Sequence, residues 1–89
     1  MFTILSGMPV EINEQVKVGA VFSRGEIRLA WFSRNGRQVR VTETTFVWKT
    51  WEGSACVLHF SVTDGRGLYE LCFNRETLVW RLLNAECGV

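Results

Sequence analysis

The chain has 89 residues, of which 47% are hydrophobic, 21% charged and 12% aromatic, a composition typical of one soluble globular domain. Ten lysine and arginine residues against nine aspartate and glutamate residues leave a formal net charge of +1, so the charge balance alone indicates neither an acidic tail nor a globally basic nucleic-acid-binding protein. No apolar run approaches the roughly 20 residues of a membrane span. The uncharged stretch 1–10 also lacks the positive start of a secretory signal, so no membrane partner is expected.

Three cysteines, Cys56, Cys72 and Cys87, form an odd set without the C-x-x-C spacing of a metal knuckle. At most one disulfide could form, which favours a reducing, cytoplasmic location. Cys87 is third from the end of the chain, whereas prenylation requires the fourth position. No cofactor is expected.

Glycine-containing turns divide the chain into segments rich in valine, phenylalanine, tryptophan and threonine, the pattern of successive β-hairpins. The predicted strands are A (15–23), B (26–33), C (37–51), D (55–63), E (67–73) and F (77–83). A single β-barrel domain is therefore predicted over 15–83, with an N-terminal segment at 1–14 and a C-terminal tail at 84–89.

The length of each turn determines which apolar residues share a face, because a slip of one residue sends them to solvent. A three-residue loop at 34–36 places Trp31 beside Val39, with Gly36 in the left-handed conformation. The same loop geometry at 51–53 directs Trp48 inward. Both tryptophans are therefore predicted to lie in the core.

A four-residue turn at 74–77 aligns strands E and F and places Glu70 opposite Arg81 on the outer face. The three registers together predict one inward-facing set. This set comprises Val16, Val18, Ala20, Phe22, Ile27, Leu29, Trp31, Val39, Val41, Phe46, Trp48, Leu58, Phe60, Val62, Tyr69, Leu71, Phe73, Leu78, Trp80 and Leu82.

Strand C changes its inward parity between Val41 and Phe46, which requires a bulge or corner at 42–45. A long strand that bends at a polar corner serves two sheets, as in small meandering barrels of SH3-like size. The predicted fold is an all-β antiparallel meander of six strands that closes into a barrel or roll.

Turn glycines and core aromatics also carry a resemblance over roughly residues 16–83. The residues concerned are Gly25-x-Ile27-Arg28, Trp31-Phe32, Gly36-Arg37-x-Val39-Arg40-Val41, Trp48, His59-Phe60-x-Val62-x-Asp64-Gly65, Tyr69-Glu70-Leu71 and Thr77-x-x-Trp80-Arg81-Leu82. This succession resembles small bacterial β-domains of unknown function. The resemblance implies a bacterial module, free-standing or appended to another protein, with no activity or functional residues to carry over.

The most plausible catalytic group is His59, Glu70 and Cys72, which share the predicted outer face of strands D and E. An imidazole oriented by a carboxylate could activate the thiol as a nucleophile. The alternative is a surface histidine, a Glu70–Arg81 pair and a small apolar filler at Cys72. We expect this structural role for the three residues, and we therefore do not expect the protein to be an enzyme. Cys56 and His59 lie on opposite faces of one strand, which argues against a shared zinc ion.

The arginines are concentrated in the B/C hairpin, where Glu26 is the only opposing acid between residues 24 and 40. A binding surface is predicted in which a ring flanked by guanidinium groups could stack on a base and hold phosphates. Its residues are Arg28, Phe32, Arg34, Arg37 and Arg40. The alternatives are solubilising arginines that block edge pairing or a site for an acidic protein.

An apolar stripe of Val57, Cys72 and Val79 is predicted on the outer face of strands D, E and F. A solvated sheet does not normally repeat apolar residues in such a row. The N-terminal segment or a second copy of the chain could cover it.

These features predict a non-catalytic interaction module that binds a protein partner or self-associates as a homodimer. Single-stranded nucleic-acid binding through the arginine-rich hairpin is the second hypothesis, and a thiol-based enzyme is the third.

Overall fold

The computed structural model describes residues 10–87, with side chains up to residue 86, and confirms the all-β antiparallel prediction. Eight strands follow one another. They are β1 (Val10–Gln15), β2 (Val18–Ser23), β3 (Glu26–Arg34), β4 (Arg37–Arg40), β5 (Glu43–Glu52), β6 (Ala55–Thr63), β7 (Gly67–Asn74) and β8 (Val79–Cys87). The described residues contain no helix long and apolar enough to cross a membrane.

The described strands form two antiparallel sheets, of order β1-β8-β7-β6-β5 and β2-β3-β4, and these strands do not close into the predicted barrel. The described residues form eight strands instead of six, because predicted strand C divides into β4 and β5 where the chain passes between the sheets, and because β1 forms mostly within the predicted N-terminal segment 1–14. β1 pairs with β8 from Val10 to Gln15, so the large sheet extends beyond the predicted range 15–83 at both ends. Residues 10–14 of the predicted N-terminal segment belong to β1, and the rest of that segment, residues 1–9, lies outside the described residues.

At one corner the chain leaves the large sheet between Val16 and Lys17. The amide of Val16 donates to the carbonyl of Trp80 at 3.1 Å, whereas the carbonyl of Lys17 accepts from Ser33 at 2.9 Å. Backbone groups of two adjacent residues therefore bond to different sheets. These bonds supply hydrogen-bond partners to the backbone where the chain bends.

The second corner lies between β4 and β5. The amide of Val41 donates to Ala30 in the small sheet at 2.9 Å, and that of Thr42 donates to Thr63 in the large sheet at 2.8 Å. A register shift follows between Thr44 and Phe46. The irregularity predicted at 42–45 is thus present.

The β3–β4 hairpin has a two-residue turn, Asn35-Gly36, instead of the predicted three-residue loop. Both residues have positive φ, 52° and 75°, as a type I′ turn requires. Phe32 consequently pairs with Val39 and points into the core, while Trp31 pairs with Arg40 on the outer face. The predicted inward position of Trp31 and outward position of Phe32 are both wrong.

The β5–β6 hairpin also has a two-residue turn, because Glu52 pairs with Ala55. In this register Trp48 lies opposite His59 and stacks on its ring. Phe46 lies on the same outer face and is 64% exposed. The prediction that Phe46 and Trp48 belong to the core is wrong, because the shorter turn reverses the faces of β5.

Between β7 and β8 the register is displaced by two positions, since Asn74 pairs with Val79. A displacement of two keeps the faces, and Trp80 still packs against Phe73. Leu78, predicted in the core, instead occupies the turn with a φ of 62° and is 68% exposed.

The core lies between the two sheets and is formed largely by predicted inward residues. Its buried members are Leu29, Phe32, Phe60, Val62, Leu71, Phe73 and Leu82. Half-buried residues complete it, among them Val16, Val18, Ile27, Tyr69 and Trp80, all of them predicted.

Candidate functional site

The predicted stripe lies on the outer face of the large sheet, at the floor of a concavity of about 500 Å³. Val57 and Cys72 are buried there and Val79 is half-buried. The rim is polar and includes His59 and Arg81. The structure therefore brings the three stripe residues together, recessed below polar side chains.

His59 connects neighbouring strands through side-chain hydrogen bonds. Its Nε2 lies 2.7 Å from the hydroxyl of Thr50, and its Nδ1 lies 3.3 Å from Oε2 of Glu70. Oε1 of Glu70 accepts from the amide of Asn84 at 3.2 Å, and Trp48 stacks on the imidazole with ring centroids 5.1 Å apart. Four strands are thus linked by one polar ladder, which stabilises their register.

Cys72 lies opposite His59 in the β6–β7 register, as the catalytic hypothesis required. However, the hydroxyl of Thr50, and not the thiol, is bonded to the imidazole. Burial and the nearby carboxylate of Glu52 raise the pKa of the Cys72 thiol above its ordinary value. A thiol with a raised pKa is largely protonated near neutral pH and is a poor nucleophile.

Arg81 does not pair with Glu70 as predicted, because the β7–β8 register places it opposite Cys72. Its Nε donates to Oδ1 of Asn13 at 2.8 Å, and its Nη2 donates to the backbone carbonyl of Asn13 at 3.0 Å. Asn13 has a φ of 51° at an irregularity of β1. Arg81 therefore links β8 to β1 at the irregularity of β1.

The predicted arginine surface is only partly brought together. Phe32 is fully buried, so it cannot stack on a ligand. Trp31 takes its place on the outer face of the small sheet, directly opposite Arg40. Arg28 precedes the buried Leu29 and lies on the same outer face.

Arg34 and Arg37 are opposite one another at the end of the β3–β4 ladder. Arg34 has Glu14 at 3.7 Å, and its inaccessible Nε has no hydrogen-bond partner among the described residues. Arg37 and Arg40 line a concavity of about 420 Å³ beside the β6–β7 turn. Sequence reasoning missed this concavity because the turn that completes it is distant along the chain.

That turn contributes Asp64 and Arg66 to the concavity, and strand β7 contributes Tyr69. Oδ1 of Asp64 accepts from the amides of Arg66 and Gly67, each at 2.9 Å, and Oδ2 accepts from the hydroxyl of Tyr69 at 3.2 Å. Burial opposes ionisation of Asp64, but these hydrogen bonds outweigh it and lower the pKa of the carboxyl below its ordinary value. The Asp64 carboxylate therefore stabilises the turn through these three hydrogen bonds.

A third feature is the cleft between β3 and β5, hereafter the β3–β5 cleft. It consists of two adjoining concavities of about 570 and 410 Å³ that share residues 25–27 and Leu58. Val47 and Phe60 line its apolar part. Sequence reasoning missed the cleft because it assumed a closed barrel.

Strand β5 ends its sheet and, among the described strands, pairs only with β6. Its side chains Phe46, Val47 and Trp51 are 64%, 50% and 65% exposed. The consecutive apolar run 46–48 is the sequence signal for these exposed apolar side chains. Side chains alternate between the two faces of a strand, so such a run places apolar groups on both faces of β5.

Among the described residues, no three histidine, cysteine, aspartate or glutamate side chains come together as a metal site requires. Searches of protein-family models, curated proteins and solved structures found no match to this chain.

Proposed function

We propose that the protein is a non-catalytic interaction module that binds an extended segment of a partner protein by strand addition in the β3–β5 cleft. The observation that carries this proposal is the outer edge of β5 (Glu43–Glu52), which ends a five-stranded sheet and has no partner among the described strands. A free strand edge presents backbone donors and acceptors that an added strand can pair with.

The opposite wall of the cleft has the same property. Residues 26–29 of β3 pair with β2 on one side, while β4 pairs only with 31–34. Two strand edges with no described partner therefore border one cleft. An extended segment placed between them would bond to backbone groups on either side, which supports strand addition over contact with a flat surface.

Side chains supply the specificity that backbone pairing lacks. An added strand directs alternate side chains to one face, and the apolar part of the cleft, lined by Ile27, Val47 and Leu58, suits valine- or isoleucine-sized groups. Arg24 and Lys49 line the adjoining part of the cleft, where Glu26 is the acidic lining residue, so positive charge is in excess. We therefore assign the cleft to a segment that combines apolar and acidic residues.

The corner hydrogen bonds support a second element of the proposal. They join the two sheets at Val16–Lys17 and Val41–Thr42, so the domain would act as one roll with an opening at the cleft. Strand addition would then pair the backbone groups on either side of that opening. Hydrogen exchange would test this, because a single roll requires the amides of Val16 and Val41 to be protected as strongly as those of the central strands.

The test uses decapeptides selected from a random displayed library, synthesised and titrated against the full chain. We expect selected peptides to alternate apolar and polar positions, to contain acidic residues, and to slow hydrogen exchange of β5 amides. Val47→Lys should reduce their affinity at least tenfold, because it places a charge in the apolar part of the cleft. Val21→Lys is the matched control, since Val21 is 45% exposed on the small sheet and does not line the cleft.

A peptide methylated at alternate backbone nitrogens should lose binding, since strand addition needs its N–H groups. Failure to select any peptide, or binding that tolerates both Val47→Lys and backbone methylation, would contradict the proposal. Light scattering provides a further arm. A dimer that Val47→Lys converts to a monomer would identify a second copy, instead of a different protein, as the occupant.

The resemblance to bacterial β-domains and the cytoplasmic location belong to the same proposal. Cys56 and Cys72 are free and buried, which is compatible with a reducing compartment.

A further inference from the structure

We infer that the outer face of the small sheet and the adjoining concavity form a binding site for single-stranded nucleic acid. Trp31 would stack on a base, and Arg28, Arg37, Arg40 and Arg66 would contact phosphates. The side chains of this site do not line the β3–β5 cleft, and the inference does not depend on the function proposed for the cleft.

The first supporting observation is the position of Trp31. A register shift in the β2–β3 ladder, between Gly19 and Ala20, leaves Ala30 unpaired with β2 and directs Trp31 outward. Its indole is half-buried against Gly19, so one part of the ring is supported while another is accessible. A ring held in this way loses little conformational freedom when a base stacks on it.

The second observation is unbalanced positive charge beside that ring, at Arg28 and Arg40, and in the adjoining concavity, at Arg37 and Arg66. Among the described residues, the arginine ion pair that forms is Arg34 with Glu14. Arg28, Arg37, Arg40 and Arg66 have no carboxylate at ion-pair distance there. The nearby carboxylate of Asp64 already accepts three hydrogen bonds.

The third observation is a local conflict within the hairpin. Arg34 lies directly opposite Arg37, and like charges at such positions destabilise a sheet. Glu14, 3.7 Å from the Nε of Arg34, offsets part of the charge, but that Nε makes no hydrogen bond, and a buried donor without an acceptor adds to the cost. An anion in the 420 Å³ concavity beside both residues would relieve the repulsion, whereas a purely solubilising role gives no reason to place them opposite each other.

A single strand fits these features better than a duplex or an acidic protein. Stacking on Trp31 needs an unpaired base, which a duplex does not present. An acidic protein would use the arginines but would not require the ring. The contribution of Trp31 to binding therefore distinguishes a single strand from the other two ligands.

The test is fluorescence anisotropy of a labelled 12-nucleotide mixed-sequence DNA strand with the full chain, starting near 20 mM salt. We expect Arg40→Ala to weaken binding about three- to tenfold, and to lower the salt slope by roughly 0.7, the value for one lost phosphate contact on a single strand. Trp31→Leu should weaken binding about five- to 150-fold through loss of stacking. Arg75→Ala is the charge-matched control, because Arg75 lies in the β7–β8 turn and lines neither part of the site.

Circular dichroism should show that each variant is folded, and Trp31→Thr, which also lacks an aromatic ring, replaces Trp31→Leu if the latter unfolds. Absence of binding at tens of micromolar protein would overturn the inference. It would also be overturned if Trp31 variants bound as the wild type does, or if heparin or duplex DNA competed as well as the single strand. Those results would indicate a surface for polyanions or acidic proteins.

Discussion

The indole of Trp31 occupies the space that a side chain at Gly19 would need. A Cβ built on Gly19 would overlap the Nε1 side of the ring, and the two residues are paired across β2 and β3. Glycine is therefore required at position 19 for close packing, because nothing larger than hydrogen fits beneath the ring.

We expect Gly19→Ala to lower the free energy of unfolding by about 1–3 kcal/mol, the usual cost of overpacking. A double-mutant cycle with Trp31→Ala provides the control. If the ring is the obstacle, Gly19→Ala should cost almost nothing in the Trp31→Ala background. An equal cost in both backgrounds, measured by urea denaturation, would show that the ring does not lie over Gly19.

Phe32 and Phe46 provide a direct test of the observed registers, because the same truncation should have opposite consequences. Phe32 is fully buried and Phe46 is 64% exposed. Phe32→Ala should cost about 3–5 kcal/mol, while Phe46→Ala should stay within about 0.5 kcal/mol.

Phe32→Ala could leave so small a domain unfolded, in which case Phe32→Leu is measured instead and should still be clearly destabilising. Thermal denaturation would refute the registers if Phe46→Ala were the more damaging substitution of the pair.

The Asp64 turn should contribute to stability in a pH-dependent way. The pKa of its carboxyl is lowered in the folded protein from an ordinary value of 3.8. This contribution is therefore fully present above that ordinary value and is lost as the pH falls through the lowered, folded-state pKa. Asp64→Ala should cost about 1–3 kcal/mol at neutral pH, because two backbone amides and a tyrosine hydroxyl lose their acceptor.

Asp64→Asn keeps an acceptor and serves as the matched variant. It should retain more stability at pH 7 than Asp64→Ala, and it should lose less than the wild type between pH 5 and pH 2. Identical acid-denaturation profiles for the wild type and Asp64→Asn would disprove the lowered pKa.

Cys72 should be a slow nucleophile despite its position opposite His59. Burial and the charge of Glu52 raise its pKa above an ordinary value of 9.0, so the thiolate is scarce at neutral pH. In a chain carrying Cys56→Ser and Cys87→Ser, alkylation by iodoacetamide should be slower than that of a free cysteine peptide.

The alkylation rate should rise with pH only above the range in which the peptide responds. Alkylation faster than the peptide at pH 7 would revive the thiol-based enzyme. His59→Ala in the same background shows whether the imidazole contributes, and we expect at most a small change.

Local sequence was sufficient for the strand segments and for most of the core. In β6, alternation places Leu58, Phe60 and Val62 on one face, and this period-two signal needs no information about neighbouring strands. The glycines at the turns were equally informative, since Gly36 adopts the positive φ that its hairpin requires. Both signals arise within a few residues, where the chain's own stereochemistry dominates.

Tertiary structure decided which aromatic residue faces the core wherever two are adjacent. Either Trp31 or Phe32 could satisfy the alternating pattern, and the choice depends on the turn at 35–36 and on the register shift at Ala30 in the β2–β3 ladder. The composition of the arginine surface differs from the prediction for the same reason, because Trp31 and not Phe32 is its accessible ring. The cleft beside β5 likewise depends on where two distant strands stop pairing. Sequence alone does not determine these features, because they are set by the pairing of segments far apart along the chain.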